Sequence, residues 1–247
     1  MKSLSRLTVV QMKLFLREPM AAFFTLLWAP ALLLLFGFIY GNEPTPFFGG
    51  LGFVDSQLPA YMGIIIVTVG MMSVPISTAE DRERGVLKRF HSTPLSPAIY
   101  LFANIFTYFI MSFIGVTLLF LLGKFVYHVQ YGGNIFSVLA GFTISTLSFF
   151  SFGYLIASLS PTGRVANVVG MVTGFLMMFL SGAAIPIEVI GDKVGGISKY
   201  LPLTYVVRFL KGLWAGNSWG SHWLDLTVIL GLLVVGSVLS TVTFKWE

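Results

Sequence analysis

The sequence predicts an all-α membrane protein with six transmembrane helices, an N-terminal amphipathic interfacial helix ahead of them, and a short re-entrant or outer helical segment between spans five and six. Two observations carry that prediction. Of the 247 residues, 56% are hydrophobic and only 10% charged, with a mean hydropathy of +0.87, whereas charged residues make up about a quarter of a soluble domain. In addition, six apolar runs are each long enough to cross about 30 Å of hydrocarbon: residues 21–40, 58–79, 98–123, 135–159, 165–186 and 224–244. None carries a charged residue in its interior, as expected where a central Arg or Lys costs about 2.5 to 3.5 kcal/mol. The whole stretch 1–247 reads as a single transmembrane domain.

Residues 1–20 come first. Lys2, Arg6, Lys13 and Arg17 recur at spacings of four, seven and four, which lines them up on one helical face, while Leu4, Leu7, Leu14 and Phe15 occupy another. Such a helix lies flat in a headgroup layer of the lipid bilayer. The apolar run behind it lacks a small-residue cleavage site, so a span is expected rather than a cleavable signal.

The loops set the orientation. With the N-terminus inside, the inner segments hold ten basic residues (Lys2, Arg6, Lys13, Arg17, Arg82, Arg84, Lys88, Arg89, Arg164, Lys245) and the outer ones five (Lys124, Lys193, Lys199, Arg208, Lys211). Basic residues bias a loop toward the cytoplasm, so both termini are expected there, in the cell membrane. The first outer loop, GNEPTPFFGGLGFVDSQ, has Glu43 and Asp55 and no basic residue. Residues 187–223 are apolar but broken by Arg208 and Lys211. A seventh span there would put Arg208 near mid-membrane, so a short extracellular helix or re-entrant segment is expected.

Residues 80–97 read EDRERGVLKRFHSTPLSP and hold seven of the 25 charged side chains. Glu80, Arg84 and Lys88 follow at intervals of four, one polar helical face extending the second span. Val86, Leu87 and Phe90 form an apolar knob opposite, Gly85 offers a bend, and the prolines at 94 and 97 end the helix. Interleaved acids and an apolar tip suit docking on a partner as well as facing water.

The remaining composition excludes several chemistries. There is no cysteine, and the three histidines are scattered, which leaves neither thiol chemistry nor a metal cluster. The net charge of +5 follows from topology, so no nucleic-acid partner is expected. No Gly-x-Ser-x-Gly or His-Glu-x-x-His supports an intramembrane enzyme, and no carboxylate or histidine relay at depth supports proton coupling. No Gly-x-x-x-x-Gly-Lys-Ser/Thr loop can cradle phosphates, so the chain is not expected to be an enzyme or to bind a cofactor.

Three patterns taken together resemble the permease subunits of type-2 ATP-binding-cassette exporters. Glu83, Gly85, Leu87, Thr93, Pro94 and Leu95 match that family's Glu-x-Gly-x-Leu-x-x-Leu-x-x-Thr-Pro-Leu pattern, with Phe90 in place of leucine and Val86 and Lys88 departing from the commoner residues. Leu180-Ser181-Gly182 before Pro186-Ile187-Glu188, and Pro202-Leu203-Thr204-Tyr205 before Arg208, match two later stretches. The resemblance implies that 80–97, with Arg84 among its residues, is a coupling helix seated on a separate ATPase. It also implies two ATPase subunits holding ATP and Mg, and a second permease copy or paralogue.

A path for an amphiphilic or hydrophobic cargo (drug, lipid or peptide) is expected along Met71, Met72, Met177 and Met178, whose flexible thioethers fit varied shapes. Gly170, Gly174, Ser181 and Gly182 allow close helix approach, at a dimer seam or simply within one bundle. The rival readings are an ATP-independent channel and a non-transporting membrane subunit.

Overall fold

The computed structural model describes residues 2–48, 50–86, 97–186 and 196–243. Helix α1 covers Lys2–Arg17. Six helices long and apolar enough to cross a membrane follow it. They are α2 (Pro19–Tyr40), α3 (Phe53–Glu83), α4 (Pro97–Tyr127), α5 (Ile135–Leu159), α6 (Gly163–Leu180) and, after the amphipathic α7 (Pro202–Trp214), α8 (Trp223–Thr243). The chain is a multi-pass membrane protein, and no strand occurs among the described residues.

The expected run 58–79 is longer at both ends in the structure. It starts at Phe53 because Asn42 grips Asp55 there, and it continues through Glu83 because its last four charged residues all find partners. Run 165–186 is shorter: α6 stops at Leu180, and Gly182 turns the chain with φ of 82°, a conformation glycine adopts without a Cβ penalty.

Helix α3 is the post around which the others stand. Of its most apolar stretch 89% is buried, against 17% for α8. Over Thr68–Ser73 it widens into a π-helix, and its neighbours come closest there. A Cβ on Gly153 of α5 would lie 2.0 Å from the Gly70 carbonyl, and one on Gly170 of α6 would lie 2.1 Å from the Met71 carbonyl. Small residues at these points let backbones touch. Helices α5 and α8 add hydroxyl bonds, with Ser148 donating to the Ile229 carbonyl at 2.8 Å and Ser151 to that of Leu232 at 3.2 Å.

Helix α1 lies against α4. Phe15 is buried edge-on to Tyr108, with ring centres 5.8 Å apart, and Thr107 donates to Gln11 at 3.3 Å. Leu14 departs from the expected grouping: it faces outward with Val9, Val10 and Leu16, an apolar side beside the exposed Arg6 and Lys13. That is the surface a helix needs to lie in a headgroup layer. Lys2 and Leu4 are within α1.

Helix α7 turns Leu203, Val206, Val207, Phe209, Leu210 and Leu213 inward against α3, α5 and α8. At 13 residues it is roughly 20 Å long, too short to cross about 30 Å of hydrocarbon. The end of the bundle that carries α1 and the α5–α6 turn is called basal below, and the end that carries α7 apical.

Candidate functional site

The basal end of α3 explains the density of charge in EDRERG. Each of four consecutive side chains goes somewhere different. Glu80 pairs with Arg84 one turn on, at 2.9 Å. Asp81 accepts from the Tyr100 hydroxyl of α4. Arg82 donates to the carbonyls of Ser158, at 3.5 Å, and Ser160, at the end of α5. Glu83 accepts the Gly163 amide, the first of α6, at 2.8 Å. One helix end thereby holds the ends of three others. Gly85 then stops the helix with φ of 66°, its amide bonded to the Arg82 carbonyl at 3.0 Å, as a left-handed glycine closes many helices. Of the expected coupling residues, Glu83, Arg84 and Gly85 belong to this knot, while Leu87, Phe90, Thr93, Pro94 and Leu95 lie outside the described residues. The importance of Asp81, Arg82 and Tyr100 was hidden in the sequence because their partners are 19 to 78 positions away.

Two cavities open beside the knot. One, of about 470 Å³, lies between α1, α3 and α4. The other, of about 290 Å³, lies between α2, α3 and α6, with Met20, Phe24, Met72 and Met171 on its apolar side and Glu18, Glu80 and Asn167 on its polar side. Both share Glu18, Ser77, Glu80 and Tyr108. Met72 therefore lines a cavity, whereas Met71, Met177 and Met178 are buried in the core. Gly170 is turned onto the Met71 carbonyl, and a Cβ on Gly174 would meet the Met72 thioether methyl at 3.0 Å. Ser181 and Gly182 are buried in the turn after α6, and Pro186 is buried close by.

At the apical end Asp225, 2% exposed, is the centre of a second cluster. One of its oxygens accepts from Arg208 Nε at 2.7 Å, with Arg208 Nη2 also in contact, and the other faces His222 Nδ1 at 2.8 Å. Arg208 also lies over the Tyr205 ring, 5.0 Å from its centre, and the Tyr205 hydroxyl donates to the Lys199 carbonyl at 2.7 Å. Pro202 opens α7, where its missing amide proton costs nothing. Glu188 lies outside the described residues. Asp225 escaped the sequence reading because it opens an apolar run, where an acid passes for a boundary residue. Its signal was an arginine stranded in the apolar segment just before it.

A second buried acid at this end, Asp55, accepts from Asn42 at 3.1 Å and from the Gln130 amide at 3.0 Å, joining three chain segments. No group of His, Asp and Glu suited to a metal occurs among the described residues.

Six apolar helices, a charged knot at one end and an amphipathic helix seated into the other make a polytopic membrane bundle. The family model of the ABC-2 type transporter matches residues 2–213, and the chain belongs to that family. It is 24% identical over 189 residues to the probable multidrug ABC transporter permease YbhS of Escherichia coli (strain K12), covering 76% of this chain and 48% of that protein. It is 29% identical over 208 residues to ycf38 of Cyanophora paradoxa, which carries a transport-permease name, covering 78% and 66%. The chain spans about half the length of the first relative and about two thirds of the second.

Proposed function

We propose that the chain is the permease subunit of an ATP-driven exporter: it forms the path for an amphiphilic or hydrophobic cargo and takes work from a separate ABC ATPase through residues 80–97. The observation that carries this reading is the knot at the basal end of α3, in a chain of the ABC-2 type transporter family. A segment that leads out of one helix whose last residues grip α4, α5 and α6 can pass a push to the whole bundle. The knot faces the cytoplasm, in keeping with the basic residues around it, and both termini lie on that side of the cell membrane. ATP and Mg sit on the ATPase, of which the working complex holds two, together with a second permease copy or paralogue.

The cargo class follows from the cavity between α2, α3 and α6. Its methionine and phenylalanine wall suits an apolar body of variable shape, and Glu18, Glu80 and Asn167 offer a polar end partners. The name of the relative YbhS, a multidrug permease, is in keeping with such a cargo.

Purification from membranes tests the reading. The detergent-extracted chain should retain an ABC ATPase subunit, hydrolyse ATP only in its presence, and lose that activity when the ATPase is stripped away. A stripped chain that still hydrolyses ATP, or a native complex without any ATPase, contradicts it.

A further inference from the structure

Arg82 and Glu83 occupy consecutive positions and hold the two sides of one tight turn. The turn Ser160–Thr162 joins the end of α5 to the start of α6. A helix leaves unpaired carbonyls and partial negative charge at its C-terminus, and unpaired amides and partial positive charge at its N-terminus. The arginine meets the carbonyls of Ser158 and Ser160, and the glutamate meets the Gly163 amide. Each charge has the sign its helix end calls for.

Neither helix end depends on this grip to close. Thr162 caps α6 by accepting from the Val165 amide at 3.3 Å, and Ser160 closes α5 through its own amide and hydroxyl on the Ile156 carbonyl, at 3.0 and 2.8 Å. The bonds from Arg82 and Glu83 are additional, and what they add is a link between α3 and elements about 80 positions away. Steric contact extends the link. A Cβ on Gly163 would lie 2.5 Å from the Glu80 side chain, and Gly170 and Gly174 seat α6 farther along the same helix. From the turn the connection also reaches α8, where the Ser158 and Thr243 hydroxyls are 2.6 Å apart.

We infer that Arg82 and Glu83 are positioning residues of the transport cycle, which grip the α5–α6 turn so that α3, with Arg84 and Gly85 bonded to its last turn, and α6 move as one body when the segment beyond Gly85 is displaced. Glu83 is thereby assigned to transmission inside the permease and not to docking of the ATPase. The inference rests on the proposed function, because that function supplies the displacement.

The absence of cysteine makes a direct test possible. Spin labels at Arg84→Cys and Val168→Cys, on exposed positions of the α3 end and α6, report their separation in the permease–ATPase complex, with and without a non-hydrolysable ATP analogue. In the otherwise unaltered chain the distance distribution should be narrow and the same in both states. Glu83→Ala should broaden it and make it shift with nucleotide, while the ATPase still co-purifies in its normal ratio. Glu83→Gln, which keeps an oxygen for the Gly163 amide but not the charge, should fall between. The local caps should keep thermal unfolding of both variants close to that of the parent chain. If Glu83→Ala sheds the ATPase, Glu83 is a docking residue and the inference fails while the proposed function stands. An unchanged narrow distribution in Glu83→Ala also overturns it. If the unsubstituted chain holds no ATPase at all, it is the proposed function that fails.

Discussion

At the apical end two acids are buried among partners: Asp225 is 2% exposed between Arg208 and His222, and Asp55 is 8% exposed between Asn42 and the Gln130 amide. At the basal end the charges stay near the surface, with the side chains of Glu80 and Arg84 41% and 71% exposed, and Arg82 and Glu83 reach outward to backbone groups of other helices. A buried carboxylate that loses its partner is left as an uncompensated charge, whereas an exposed pair gains little because water already solvates both members. The apical cluster therefore fixes where α7 and α8 sit, and the basal one ties α3 to the α5–α6 turn without burying a charge.

The comparison can be broken most severely at Asp225. Asp225→Ala takes the shared carboxylate from Arg208, whose side chain is 53% exposed, and from the partly buried His222, and should cost about 3 kcal/mol, read as a lower thermal unfolding temperature of the detergent-solubilised chain. Asp55→Ala strands the Gln130 amide and leaves Asn42 Nδ2 with only the Tyr127 carbonyl, and should cost about 1.5 to 3 kcal/mol in the same assay. Gly170→Ala tests the seam that connects the two ends, since the added methyl collides with the Met71 carbonyl. Overpacking of this kind costs about 1 to 3 kcal/mol, and it should show as lost stability even though the substitution favours helix. Arg84→Gln, at the exposed pair, should change unfolding by less than about 0.5 kcal/mol. A basal effect as large as that of Asp225→Ala would erase the contrast.

The spans were legible in the sequence because hydrocarbon imposes a length and a composition, and both are local. The run 135–159 coincides with α5, and Arg208 with Lys211 correctly argued against a seventh span. What the sequence hid was pairing. Asp225 reads as a boundary residue until Arg208 and His222 are seen around it, and Asp55 reads as a loop acid until Asn42 and residue 130 close over it. Gly170 and Gly174 signalled close packing, but the partner, the π-helical stretch of α3, leaves no trace in composition. The charge run at 80–89 was conspicuous; that Asp81, Arg82 and Glu83 divide among α4, α5 and α6 depends on the register of three distant helices.

One crosslinking measurement addresses the central claim, that work enters at the end where α3 gathers its neighbours. A photoreactive phenylalanine analogue is placed at Phe90, between α3 and α4, or at Tyr131, an exposed residue of the apical end, in the complex with its ATPase. Irradiation should join the ATPase to the chain carrying the probe at 90 and not to the one carrying it at 131. Crosslinking at 131 with none at 90 would contradict the account.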